Sequence, residues 1–225
     1  MNVTIDNLPD KLFNSINSTP IFDLHTHLFP PTHKSYFLLG FKNLLNYHYL
    51  IAELLIASNI DSSTFYSYND DQKASLVWSE LFVKRTPVSE ACAGVLTILK
   101  QLNIELNNKR FALVCDEYDQ KIHSDKNILE LSNVSSLVMT NNPFDLDEWS
   151  LFNNSDWDKK IYFASLRLDD LILDYEESLK KAKDQTSGSE ENNVIAYLEK
   201  CYLQSSPVYA AVSINIDTFN ILLAD

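Results

Sequence analysis

The sequence contains very little glycine. Its 225 residues include only three, Gly40, Gly94 and Gly188, where average usage would give about 15. Loops that cradle phosphate groups, of the GxGxxG or GxxxxGK type, need several glycines close together because the backbone must approach the phosphate. The sequence therefore excludes the simplest nucleotide-binding motifs.

Basic side chains, long apolar runs and paired cysteines are also scarce. The chain has 18 Lys and Arg against 31 Asp and Glu, a formal net charge of −13, and such a surface repels a phosphate backbone, so we expect no nucleic-acid partner. No run of about 18 uncharged apolar residues and no secretory signal is visible, so we expect no membrane span and a cytoplasmic protein. The cysteines, Cys92, Cys115 and Cys201, form no CxxC pair and are expected to be reduced thiols.

Four short apolar runs are separated by long helical patterns. The runs predict strands over residues 20–28, 134–140, 161–166 and 208–214. Helices are predicted over 36–56, 70–84, 91–102, 111–119, 126–131, 171–183 and 194–204. This alternation is typical of an α/β fold with a parallel sheet of about four strands. We expect a single domain over residues 1–225, with a large helical insertion after the first strand at about 36–131.

Polar residues stand at the end of each predicted strand. They are His25-Thr26-His27, Thr140-Asn141-Asn142, Arg167 and Ser213-Asn215. In parallel βα units the carboxyl ends of the strands meet at one edge, where ligands collect. The sequence therefore predicts a functional rim built from the four strand ends.

The sharpest chemical signal is the pair His25 and His27. Residues two apart in a strand point to the same face, about 6–7 Å apart, and both imidazoles could then reach one divalent ion at roughly 2.0–2.1 Å per nitrogen. Asp23 lies on the same side and could accept a ring N–H. The alternative is two ordinary polar residues at a strand end, since HxH alone occurs by chance.

Several segments together resemble a known family. IFDLHTHLFP, residues 21–30, resembles the first-strand metal motif of the amidohydrolase superfamily. Asn46-Tyr47-His48-Tyr49 is similar to the His-Tyr element of uronate (glucuronate) isomerases, and SLRLD, residues 165–169, is similar to their Arg-x-Asp element. The segment LVMTNNPFD also resembles a strand end of that family.

The resemblance implies the first part of a (β/α)₈ barrel of the TIM type. It also implies an aldose–ketose isomerisation of a sugar acid, D-glucuronate or D-galacturonate, through an enediol, in sugar-acid catabolism. A divalent metal, usually zinc, would assist, with His25 and His27 as its ligands. His48 and Tyr49 would contact substrate hydroxyls, and Arg167 would bind the sugar acid.

Each residue also has a structural alternative. His48 could be a core histidine on an apolar helix face, and Tyr49 a packing aromatic. Arg167 could simply pair with a following aspartate such as Asp169, a contact worth about 0–1 kcal/mol at a surface. His33, which follows two prolines, is expected to be exposed in a loop.

The length does not suit a whole barrel, which typically needs about 250 residues. Truncation of a longer protein, closure of a barrel by self-association into a homo-oligomer, and a complete protein of another fold are the alternatives, and truncation is favoured. We expect the 225-residue chain to be inactive as an isomerase and to hold zinc weakly or not at all, because two histidines leave zinc short of ligands. A metal-dependent hydrolase of amides or esters and a non-enzymatic, helix-rich binding protein stay open as alternative functions.

Overall fold

The computed structural model of the chain describes residues 5–106, 110–154, 156–186 and 190–213. These residues form two compact units. One unit contains the residues up to Phe37 and those from Asn133 onward, and the other is the segment Leu38–Ser132. The strands lie in the first unit, and the second is helical.

The strand-bearing unit has parallel strands, as the sequence predicts. β1, β2 and β3 form one parallel sheet in that order, and β4 and β5 form a second parallel pair. β2 is the central strand, and its Leu137, Val138 and Met139 are buried, as expected for a strand covered on both faces. The described strands are β1 (Ile21–Thr26), β2 (Val134–Met139), β3 (Tyr162–Phe163), β4 (Leu166–Arg167) and β5 (Ala210–Ala211).

The third predicted strand, over 161–166, is in fact two short strands. Ser165 separates β3 from β4, and its hydroxyl donates to the Met139 carbonyl at 2.6 Å while its N–H donates to Asn141 Oδ1 at 3.3 Å. These tertiary hydrogen bonds turn the Ser165 backbone and side chain away from the regular ladder of the sheet. The single sheet of four strands is therefore replaced by two sheets.

The same unit also contains helices. α1 has no buried residue and exposes Leu12, Phe13 and Ile16, and the sequence patterns above did not predict it. The others follow β2 or β4 as expected for βα units. The helices are α1 (Leu8–Ser18), α9 (Leu146–Asn154), α10 (Asp169–Leu173), α11 (Tyr175–Gln185) and α12 (Glu190–Ser205).

The helical unit has its own apolar core. Phe41, Leu45, Leu54, Phe65 and Val77 are fully buried there. Start signals in the sequence explain several of its helix boundaries, including an Asn69–Gln72 capping box. The helices are α2 (Phe41–Leu45), α3 (His48–Ala57), α4 (Ser62–Tyr66), α5 (Asp70–Val77), α6 (Glu90–Gln101), α7 (Phe111–Lys121) and α8 (Asp125–Ser132), with a π-helical turn at Trp78–Val83.

The predicted helix over 36–56 is interrupted at Asn46. The Asn46 side chain donates to the Asp70 carbonyl at 3.0 Å, and its backbone is no longer helical. α3 therefore begins afresh at His48, which places His48 and Tyr49 in the first turn of a helix. Across the described ranges, no helix combines the length and the apolar character needed to span a bilayer.

Candidate functional site

The polar strand ends lie side by side, joined by backbone hydrogen bonds. The Thr140 N–H donates to the Thr26 carbonyl at 3.2 Å, which joins the ends of β1 and β2. The Arg167 N–H donates to the Asn141 carbonyl at 2.7 Å, which joins β2 to β4. The Leu168 N–H donates to the Ala211 carbonyl of β5 at 2.8 Å. The predicted rim is therefore continuous across both sheets, although Asn215 lies outside the described residues.

β1 carries an irregularity at the position of His25. Asp23 is opposite Leu137 and Thr26 is opposite Met139, so β1 has one more residue than β2 over this stretch. The His25 N–H donates instead to Asp23 Oδ1 at 3.0 Å. A bulge of this type re-aims the side chains beside it and is frequent next to active sites. The carboxylate of Asp23 thus supports the strand backbone.

The structure brings the rings of His25 and His27 together. Their ring centroids are 5.4 Å apart and the ring planes are nearly perpendicular. Both side chains are exposed at the strand end. This placement brings the two rings close together, as the HxH spacing predicts.

The pair fits part of a zinc site. A catalytic zinc takes three protein ligands and one water, and a structural zinc takes four protein ligands. Within the described ranges, no group of three or more His, Cys, Asp or Glu side chains is arranged to hold a metal. His25 and His27 therefore supply two suitable nitrogens and no complete ligand set, and no chemical step is assigned to a metal here.

Arg167 lies at the same rim, in β4. Its Nη2 donates to the carboxylate of Asp169, which is buried. Asp169 also accepts the backbone N–H of Ser213 through its other oxygen. The pairing that the sequence left as an alternative is therefore present. A guanidinium carries five N–H donors, so this contact does not use up the capacity of Arg167 to bind an anion.

His48 and Tyr49 belong to the helical unit. Their ring centroids are 4.3 Å apart, and the Tyr47 ring lies 4.3 Å from that of His48. His48 and Tyr49 are both exposed. His48 is therefore not a core histidine, because α3 starts at this residue and turns its side chain outward.

Glu148 is a buried acid at the rim that the sequence did not reveal. It lies in α9 and is 5% exposed. Its carboxylate accepts the Asn141 side-chain N–H at 3.0 Å and the Asn142 N–H at 3.3 Å. Burial raises the pKa of Glu148 to about 7, against the lowering effect of these hydrogen bonds. The Asn141 carbonyl accepts the backbone N–H of Arg167. By binding the Asn141 side chain, Glu148 therefore stabilises the connection between the ends of β2 and β4.

The raised pKa of Glu148 predicts a pH-dependent stability. Between pH 4.5 and about 7 the folded protein holds the Glu148 proton that the unfolded chain has lost, so this group reduces stability as pH rises. We expect Glu148→Gln, which keeps the same shape, to gain about 2 kcal/mol relative to the parent between about pH 5.5 and about pH 7.5. Urea unfolding of both proteins measures this difference. A difference independent of pH would contradict the burial of an ionisable acid here.

The features above define a class: an α/β protein whose parallel strands end in one polar rim, with two imidazoles at the end of its first strand. No protein-family model matches the chain, and a search of the curated proteins finds no match. Among solved structures, the chain is similar to a uronate isomerase from Bacillus halodurans C-125, with 30% sequence identity and a TM-score of 0.84.

That similarity covers 100% of this chain and 57% of the uronate isomerase chain. The resemblance to the uronate isomerases is thereby confirmed: along its whole length the chain is similar in sequence and in fold to part of such an enzyme. The chain spans little more than half the length of the enzyme it matches.

Proposed function

We propose that the chain carries part of the active site of a uronate isomerase, an enzyme that interconverts an aldose and a ketose form of a sugar acid. The observation that carries the proposal is the pair of imidazoles at the end of β1, 5.4 Å apart, in a chain that matches such an enzyme along its whole length. D-glucuronate or D-galacturonate is the proposed substrate.

The proposed architecture is the first part of a (β/α)₈ barrel. The hydrogen bond from Arg167 to Asn141 supports this, because it connects the two small sheets through their strand ends. The parallel order of the strands and the helices between them also suit a barrel segment. The helical unit would be the insertion that follows the first strand.

Each candidate residue, at the rim or in the helical unit, receives a role from its chemistry. Arg167 would bind the carboxylate of the sugar acid, for which a guanidinium provides two parallel N–H donors. Asp169 orients Arg167 through its buried carboxylate. His48 and Tyr49 would contact substrate hydroxyls. With a net charge of −13 the chain needs such local positive charge to attract an anionic substrate.

His25 and His27 would hold a divalent cation, for which zinc is the proposed metal. When bound, such an ion supplies stabilisation of the negative charge that develops on the sugar oxygens during isomerisation. The reaction itself moves a proton between C2 and C1 of the sugar through an enediol.

The purified 225-residue chain is expected to show no turnover of D-glucuronate, with or without added zinc or manganese. The physical reason is that two histidines do not complete a catalytic metal site. A coupled assay for the ketose product measures this, beside a full-length uronate isomerase as positive control. Measurable conversion by the chain alone would contradict the incomplete site, and turnover of an N-acyl substrate instead would favour a hydrolase.

Binding can be tested independently of turnover. We expect D-glucuronate to bind the zinc-loaded chain weakly, and Arg167→Met to weaken that binding by about tenfold, since a charge-assisted hydrogen bond contributes about 1.5–3 kcal/mol. Arg110→Met removes an exposed arginine of the helical unit and serves as the matched control. D-glucose, which lacks the carboxylate, is expected to bind no better to the parent than to Arg167→Met. Equal binding of D-glucuronate by both arginine variants would refute the role of Arg167.

A further inference from the structure

A cavity of about 660 Å³ lies within the helical unit, between α3 and α6. Its walls are apolar, with Leu44, Leu50, Val95 and Ile98 among them. The volume is within the usual range for small-molecule sites, about 300–1,000 Å³. The cavity is thus large enough for a small ligand, and its apolar walls favour a ligand with an apolar body.

The charged groups of the cavity are all acidic. Glu53 and Glu90 line it, and among the residues that the structure describes no lysine or arginine does. Glu53 accepts the Ser89 hydroxyl at 2.5 Å and lies 3.7 Å from the Cys92 sulfur. In the described part of the chain these are its only polar side-chain contacts. Glu53 therefore faces the cavity without a cationic partner.

Two tyrosine rings complete the lining. Tyr47 and Tyr49 both line the cavity, with ring centroids 5.3 Å apart and nearly perpendicular planes. Aromatic faces attract ammonium groups through their quadrupole. Carboxylates bind the same group by charge-assisted hydrogen bonds. The lining as a whole is complementary to a cation and repels an anion.

From this combination we propose that the cavity between α3 and α6 binds a small organic cation, an ammonium group on a short apolar body. Glu53 binds the ammonium group, the tyrosine rings lie against it, and the apolar walls contact the body. A sugar acid does not suit this cavity, because its carboxylate would lie beside Glu53 and Glu90. The proposal is argued from the lining alone, although Tyr49 is also a proposed contact of the sugar acid.

Gly94 offers a way to close the cavity without disturbing the fold. It lies in α6 and lines the cavity, and an added Cβ would meet no atom within 4 Å. Leucine also favours a helix more than glycine does, by up to about 1 kcal/mol per residue. Gly94→Leu should therefore fold at least as well as the parent while its side chain occupies part of the cavity.

The test is calorimetric titration of the full chain with hexylammonium and with hexanoate, two probes with the same body and opposite charge. We expect saturable binding of hexylammonium, no comparable binding of hexanoate, and a rise in Kd of about tenfold for Glu53→Gln. Gly94→Leu should also weaken binding, because its side chain takes up part of the space for the ligand. Glu130→Gln, which changes the same charge at an exposed position of α8, should leave it unchanged.

Failure of hexylammonium to saturate, equal binding of both probes, or unchanged affinity in Glu53→Gln or Gly94→Leu would each overturn the proposal. Circular dichroism confirms that the variants are folded. Because Tyr49 is also a proposed substrate contact, D-glucuronate is included as a competitor. Its displacement of hexylammonium would assign the cavity to the sugar acid and overturn the proposal, whereas its failure to bind anywhere would count only against the proposed isomerase role.

Discussion

Replacing His25 and His27 together with alanine is expected to lower the zinc affinity of the chain by more than about 100-fold. Loss of a hydrogen-bond partner behind a metal ligand typically costs about 10–100-fold in affinity, and loss of the ligands themselves should cost more. The parent is expected to bind zinc weakly, because the described residues provide no third ligand beside this pair. Equilibrium dialysis with zinc measures both affinities.

His123→Ala is the matched control for this experiment. His123 is exposed in the helical unit, and its backbone N–H rather than its ring donates to Asn127. The control removes one imidazole and should leave zinc binding unchanged. If the double variant binds zinc as the parent does, the histidine pair is an ordinary polar strand end and the proposed metal site is lost.

Acidification from about pH 7 to about pH 4 is expected to destabilise the folded protein by about 3 kcal/mol through His33 alone. His33 is fully buried, and neither ring nitrogen has a hydrogen-bond partner among the residues that the structure describes. Burial lowers its pKa from 6.5 to about 4. In this range the unfolded chain binds a proton that the folded protein excludes, so stability falls as pH falls.

The surroundings of His33 explain the exclusion of the proton. The rings of Phe29, Phe152 and Trp157 lie 5.9, 5.1 and 5.6 Å from its ring, measured between centroids. An apolar enclosure of this kind penalises the charged imidazolium. His33→Leu has a similar volume, does not titrate and leaves no buried nitrogen unpaired, so it should be at least as stable as the parent at pH 7.

The measurement is the difference in unfolding free energy between His33→Leu and the parent as a function of pH. The difference is necessary because the raised pKa of Glu148 acts in the opposite direction over much of the same range. In the pH dependence of the parent's unfolding free energy alone, the contributions of His33 and Glu148 therefore partly cancel. A difference that stays constant from about pH 7 to about pH 4 would show that His33 titrates normally and is not enclosed.

The sequence predicts the first two strands well, because both are continuous apolar runs with turn residues at their ends. The predicted ranges 20–28 and 134–140 contain β1 (Ile21–Thr26) and β2 (Val134–Met139). The division of the third run into β3 and β4 depends on hydrogen bonds from Ser165 to Met139 and Asn141. Such tertiary contacts leave no periodic signal in the sequence.

At the rim, too, some features could be predicted from the sequence and others could not. The pairing of His25 with His27 follows from the two-residue period of a strand. The burial of Glu148 does not follow from any period, although Asp145-x-x-Glu148 has the spacing of a capping box. Asp145 does accept the Glu148 N–H at 3.1 Å, but the Glu148 carboxylate turns to Asn141 and Asn142. The box pattern could have located the helix start but not the buried acid.

His33 and α1 are two further differences between the predicted and the observed structure. The expectation that His33 is exposed was wrong, because Phe152 and Trp157, which enclose it, are more than a hundred residues further along the chain. α1 lies outside the predicted helices, although Leu8, Leu12 and Ile16 have helical spacing and Pro9 suits its first turn.

The most direct test of the proposed metal centre is the X-ray absorption spectrum of the zinc-loaded chain. We expect two imidazole nitrogens at about 2.0–2.1 Å from zinc, with oxygen in the remaining positions. The imidazole signal should disappear when His25 and His27 are both alanine. Zinc bound through sulfur, or an imidazole signal that persists in the double variant, would contradict the central claim that these two strand-end histidines are the metal ligands.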